Sequence, residues 1–112
     1  MPNPAISSLL FAFGTLVIHS VFNTDFSSPL GKHIAVNKSS SYVDLSNLYG
    51  NSKAEVDEMR DAAAGRGLLC PDCFSDKRLL ILPPAAAVLL VLFNRNHNVC
   101  LELCHHEFGL AY

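Results

Sequence analysis

The chain has no tryptophan, and only 16% of its 112 residues are charged. An ordinary soluble domain carries roughly 25% charged residues. Apolar residues reach 50% here, so there is too little polar side chain to coat a particle of this size. That is the composition of an interior. It suits either a stretch of a larger enzyme or a small hydrophobic protein that faces a membrane. A second domain is not expected at this length. A formal net charge of −2 supplies no basic field for phosphates, and no stretch interleaves Lys or Arg with aromatics. Nucleic acid is therefore not an expected partner.

Charge is also missing from the beginning of the chain, where the first charged residue is Asp25 and the run from Ala5 to Phe22 is almost wholly apolar. A signal peptide or membrane anchor would want Lys or Arg before that run or a positive cluster beside it, and neither is present. The run also contains Ser7, Ser8, Thr15, His19 and Ser20. It reads as a buried core helix rather than a membrane span. Cysteine is sparse: four residues, all in the second half, without the dense framework of a small disulfide-stapled domain. Reduced thiols are expected, and an intracellular location, cytoplasmic or peripheral to a membrane, is favoured.

What is present predicts an all-α chain of about three helices joined by long loops. Asn3 followed by Pro4 reads as an N-cap and first helical residue, opening a helix to about Phe22 that is apolar on every face. From Asn23 to Ser41 the turn-forming residues predict a surface loop. Ser41 to Gly50 predicts a short helical turn stopped by the glycine. Ser52 with Glu55 has capping-box spacing, with an amphipathic helix following to about Ala64 before Gly65-Arg66-Gly67 breaks it. Leu68 to Leu82 reads as irregular. Pro83-Pro84 then starts a third helix that Gly109 can end. Within that helix Asn94 to Asn98 is wholly polar between apolar flanks. Such groups need a hydrogen-bond network or a site, because each one buried unpaired costs about 1–3 kcal/mol.

Four segments in order carry a family likeness. Phe11-Ala12-Phe13 through Ile18-His19-Ser20-Val21-Phe22-Asn23-Thr24-Asp25 resembles the distal-histidine helix of the animal-type haem peroxidase superfamily, which includes the cyclooxygenases. Ser40-Ser41-Tyr42-Val43-Asp44-Leu45-Ser46-Asn47-Leu48-Tyr49-Gly50-Asn51 resembles the segment that follows it in the fungal linoleate diol synthases, also known as psi-factor-producing oxygenases. Pro71-Asp72-Cys73-Phe74-Ser75-Asp76-Lys77-Arg78-Leu79-Leu80, Pro83-Pro84 and Phe93-Asn94-Arg95-Asn96-His97-Asn98 continue the order. The likeness runs from about Phe11 to about Leu103.

The resemblance implies an incomplete haem peroxidase-like domain over residues 1–112, cut from a fatty-acid dioxygenase that converts linoleate-like substrates and oxygen to hydroperoxides. It implies an oligomeric parent and leaves membrane association open. His19 would be the distal acid–base group beside the haem, since a neutral imidazole titrates near neutrality and can relay a proton from bound peroxide to the departing oxygen. Without the resemblance, a histidine in an apolar helix reads more readily as a core residue bonded to a carbonyl. Thr15 stands where cyclooxygenases have a glutamine, and Ser20 where several relatives have an aspartate calcium ligand. No calcium site is therefore expected, and Asp25 and Asp44 are assigned to turn capping. The family's proximal histidine, in a Tyr-Arg-Trp-His-like motif with the radical-forming tyrosine, has no match here, so this chain alone is expected to bind haem weakly or not at all. Arg95, His97 and Asn98 match an Arg-Glu-His-Asn-like string of the superfamily, with Asn96 in place of the glutamate. They read as a buried structural network with possible haem proximity. His33 reads as a loop residue, and His105 and His106 as residues of a helix end.

A competing class is a zinc module. Cys70-Pro71-Asp72-Cys73 has knuckle spacing, and Cys100, Cys104 and His105 could complete a tetrahedral set. Against it, Cys100 and Cys104 lie one turn apart on an apolar helix, where free Cys behaves as a small hydrophobe. A third class is a small non-catalytic, membrane-associated protein.

Overall fold

The computed structural model describes residues 7–25, 36–40 and 42–109, and they are mostly helical. Helix α1 runs over Ser8–Val21. Ser7 caps it, its hydroxyl accepting from the Leu9 amide at 3.2 Å, which satisfies one of the orphan donors of the first turn. The expected Asn3 cap and Pro4 lie outside the described residues, and the extended backbone of Ser7 (ψ 139°) starts the helix later than Pro4 would. Ala12, Leu16 and Ser20 are its buried residues, a stripe at i, i+4, i+8 that faces one side only.

The expected loop after α1 contains a two-strand antiparallel ladder, in which β1 (Thr24–Asp25) pairs Thr24 with Asn37 and Asp25 with Val36 of β2 (Val36–Asn37). Lys38 and Asp25 form an ion pair at 2.8 Å beside it. His33 lies outside the described residues. Asp44 caps the next turn as expected: one carboxylate oxygen accepts from the Ser46 amide at 3.0 Å and the other from the Ser40 hydroxyl at 2.6 Å. Leu45, in the left-handed region at φ 55°, turns the chain into α2 (Ser46–Tyr49). Gly50, at φ 100°, ends it, in a conformation that side chains other than glycine's rarely adopt.

Ser52 caps α3 (Lys53–Met59), accepting from the Glu55 amide. The reciprocal half of the expected capping box is displaced by one residue, because the Glu55 carboxylate accepts from the Asn51 amide at 2.6 Å. Helix α3 is also shorter than expected. Asp61 uses its own carboxylate to hold the Ala63 and Ala64 amides, while its amide donates to the Leu68 carbonyl. A local turn replaces the last helical turn. Arg60 then pairs with Leu69 in an isolated antiparallel bridge.

The irregular segment contains a 3₁₀ turn over Lys77–Ile81, and α4 runs over Pro84–Phe108. Both of its ends lie where the sequence places them. Proline at the first position loses no helical hydrogen bond, and Gly109 takes the left-handed conformation (φ 58°). Its buried residues are Ala86, Leu90 and Asn94, and the first two meet Leu16, Leu48, Met59, Leu69, Phe74 and Leu79 in one core. Fully burying one such leucine stabilises by roughly 1.5–3 kcal/mol. Much apolar side chain is left outside: Phe11 is 67% exposed, Leu9 58%, Leu103 57% and Ile81 87%. No helix among the described residues is long and apolar enough to cross a membrane.

Candidate functional site

His19 occupies the last turn of α1. It is half-buried, and its Nδ1 atom is buried with no hydrogen-bond partner among the described residues. The carbonyl partner that a core histidine would need is therefore absent from that nitrogen. His19 borders a cleft of about 420 Å³ whose other walls come from α2, α3, the segment before α4 and the ends of the β1–β2 ladder, including Lys38, Asn47, Glu55, Asp76 and Arg78. Asn47 is 2% exposed. It anchors α2 on α1 through its amide, which donates to the Leu16 carbonyl at 3.1 Å. Its carbonyl oxygen is the second buried polar atom without a partner among the described residues.

The turn that carries His19 is secured from outside the helix. An α-helix leaves its last four carbonyls without intrahelical donors, and here each is supplied by a different contact. Arg78 donates to the His19 carbonyl at 3.2 Å and to the Phe22 carbonyl at 2.9 Å. The Ser46 hydroxyl reaches the Ser20 carbonyl at 3.5 Å, and the Asn37 amide reaches the Val21 carbonyl at 2.7 Å. A guanidinium at this end is also favoured by the partial negative charge of the helix terminus. Thr15 and Ser20 turn their hydroxyls back to the carbonyls four residues earlier, at Phe11 and Leu16.

The structure does not bring Arg95, His97 and Asn98 to this cleft. They fasten α4 to the segment running from Gly67 to Asp72. Asn98 both accepts from the Leu69 amide and donates to the Leu69 carbonyl, at 2.8 and 2.9 Å. His97 lies 3.1 Å from the Tyr49 hydroxyl through Nδ1 and 3.3 Å from the Gly67 carbonyl through Nε2. Arg95 makes a two-pronged pair with Asp72 on the surface, and this holds the Asp72 carboxyl below its ordinary range. Burial raises the pKa of the Tyr49 phenol, and Cys100 adds to the shift. Asn94, which no family motif singled out as a site, is the most buried member of the polar run at 1% exposure.

Arg78 is the residue the sequence did not point to. Its partners His19 and Phe22 lie more than fifty positions earlier, and no pattern in the chain links them. The local clue was Asp76 two residues before it, a cap-and-fork spacing. The zinc reading fails on geometry: among the described residues no group of three or more His, Cys, Asp or Glu side chains converges to hold a metal ion. Cys70 and Cys73 close a tight turn beneath Asn94, while Cys100 and Cys104 are exposed further along α4.

Among known proteins, the chain is similar to fungal oxygenases and diol synthases. The chain is 47% identical over 93 residues to a bifunctional dioxygenase–epoxy alcohol synthase of Pyricularia oryzae, covering 83% of this chain and 8% of that protein. It is 46% identical over 97 residues to psi-producing oxygenase A of Aspergillus fumigatus, covering 87% of this chain and 8% of the relative. Identity to the 7,8-linoleate diol synthase of Pyricularia oryzae is 45% over 98 residues, again 87% of this chain and 8% of the relative. No protein-family model and no solved structure matches the chain. The chain belongs to the family of fungal linoleate diol synthases and psi-producing oxygenases, and it spans about a twelfth of the length of these relatives.

Proposed function

We propose that the chain is the distal-histidine stretch of a haem peroxidase-like domain in a fatty-acid dioxygenase, and that His19 is its acid–base residue. The observation that carries this reading is the buried, unpartnered Nδ1 of an imidazole at the edge of a polar cleft, on a turn whose carbonyls are all secured by other segments. Among the described residues no carbonyl fixes that nitrogen, whereas Nε2 of His97 is committed to the Gly67 carbonyl. The family reading supplies the substrates, an unsaturated fatty acid and oxygen.

The described residues suit one side of a haem only. His19 offers an acid–base group, the described residues lining its cleft include no second histidine, and both ring nitrogens of His97 have protein partners. When bound, haem would supply the redox chemistry of peroxide cleavage and substrate oxidation. This chain's own contribution is to hold an imidazole at the end of a fixed helix and to move a proton at that ring. The exposed apolar faces of α1 and α4 agree with a stretch that packs against more protein: the purified chain should bind haem without a stoichiometric Soret complex and should not oxygenate linoleate.

The test grafts this chain's matched stretch into the 7,8-linoleate diol synthase of Pyricularia oryzae. The chimera is expected to bind haem and oxygenate linoleate, and His19→Ala within it to retain haem while peroxide turnover falls by about 10²–10⁴-fold. An active chimera indifferent to His19→Ala would remove the assignment.

A further inference from the structure

We infer that Arg78, locked by Asp76, is a positioning residue for His19. The inference rests on the acid–base reading of His19 and adds the group that fixes its place. Arg78 and Asp76 meet through two parallel contacts, Nε to Oδ1 at 2.8 Å and Nη2 to Oδ2 at 2.6 Å. This fork-to-fork geometry sets the plane of the guanidinium as well as its position. The Asp76 side chain is 11% exposed and that of Arg78 35%, so the pair is partly shielded from water. Asp76 is itself held twice: its carboxylate accepts from the Arg78 amide at 3.0 Å, and its own amide donates to the Asn47 carbonyl at 2.9 Å.

From that anchored fork, Nη1 reaches the Phe22 carbonyl and Nη2 the His19 carbonyl. One planar group thus spans the final turn of α1 and ties the backbone of residue 19 to the start of the 3₁₀ turn. Helix ends otherwise fray, and a displacement of about 1 Å at an acid–base group is enough to cost a large part of its rate. Arg78 acts on the backbone of residue 19, and nothing here places it on a reacting atom. A lysine offers one point charge and cannot span two carbonyls while held by a carboxylate.

The experiment uses the 112-residue chain without haem. Amide hydrogen exchange at Ser20, Val21 and Phe22 is compared with exchange at Leu90 in α4, and the ring signals of His19 with those of His97, in wild type, Arg78→Ala, Arg78→Lys and Asp76→Asn. The expected result is exchange about tenfold faster at the α1 end relative to Leu90, with His19 signals averaged and His97 signals unmoved, in Arg78→Ala and Arg78→Lys alike. Asp76→Asn should give a smaller change of the same kind, and millimolar guanidinium should restore the slow exchange and the His19 signals in Arg78→Ala. Unchanged exchange and unchanged His19 signals in Arg78→Ala overturn the proposal. Equal loss of protection in α1 and α4 in both Arg78→Ala and Asp76→Asn also overturns it, because the pair would then serve general stability only. Full recovery by Arg78→Lys has the same consequence. None of these readouts needs haem, so an active chimera indifferent to His19→Ala removes the catalytic reading without altering them.

Discussion

The Tyr49 hydroxyl sits 3.1 Å from Nδ1 of His97 with the two rings edge to face, 5.5 Å between centroids. It links α2 to the middle of α4 across 48 residues of chain. Because Nε2 of His97 faces the Gly67 carbonyl, the proton belongs on Nε2 and Nδ1 accepts from the phenol. Tyr49→Phe is expected to lower stability by about 1 kcal/mol, read as a shift of the urea midpoint at constant slope. With burial raising the phenol's pKa, the neutral form is favoured in the folded chain. Stability is then full below the unfolded value of about 10 and is lost as pH rises through the folded value. Tyr49→Phe should abolish that alkaline loss.

Asn94 answers the question raised by the polar run in α4. Its amide donates to the Cys70 and Cys73 carbonyls, each at 3.0 Å, and its oxygen accepts from the Asp72 amide at 3.3 Å. Asn94→Ala would leave the Cys73 carbonyl and the Asp72 amide without these partners, and the Cys70 carbonyl with the Cys73 amide only. The expected cost is on the order of 3 kcal/mol, larger than for Asn98→Ala, whose two bonds serve a single residue. Thermal denaturation of the two variants checks the order.

Two glycines in the left-handed region should respond differently to alanine. A Cβ on Gly50 would lie 2.5 Å from Glu55 Cβ and 3.2 Å from its carbonyl carbon, whereas nothing lies within 4 Å of one on Gly109. Gly109→Ala carries only the conformational cost, roughly 1 kcal/mol, while Gly50→Ala adds a clash with the Glu55 Cβ, which the α3 backbone holds in place. Chemical denaturation should rank Gly50→Ala as the more destabilising.

Acid sensitivity should come from Asp44 and Asp72. The Ser40 hydroxyl holds the Asp44 carboxyl below its ordinary range, helped by the Ser46 amide, and the Arg95 side chain does so for Asp72. A depressed folded pKa contributes stability above the unfolded value, about 3.9 for aspartate, that is lost as pH falls through the folded value. The urea midpoint should fall across that window. Asp44→Asn should flatten one part of the fall and Arg95→Gln the other. Only the second part should shrink in high salt, since it alone arises from an exposed ion pair.

The parts of the fold legible in the sequence are those decided by a residue and its immediate neighbours. Pro84 opens α4 and Gly109 closes it because a missing amide and a missing Cβ act within one turn. Ser52 caps α3 for the same reason. The end of α3 was not legible, because Asp61 can either continue a helix or bond its own turn, and the bridge between Arg60 and Leu69, with Asn98 holding Leu69, selects the second. His19 was marked by a resemblance that spans the chain. The polar run in α4 announced a network without naming its partners.

The sequence by itself thus determined the apolar character of α1, the boundaries of α4 and membership of the oxygenase family, and it singled out His19 for the proposed acid–base role. Tertiary structure alone decided that His97 and Asn98 fasten α4 rather than border the His19 cleft, and that Arg78 braces the helix end at His19. Those pairings join residues 29 to 59 positions apart. Hydrogen-bond donors such as guanidinium and amide groups carry no mark of the carbonyl they will meet, and only the packing of α1, α2 and α4 around one core brings each within reach.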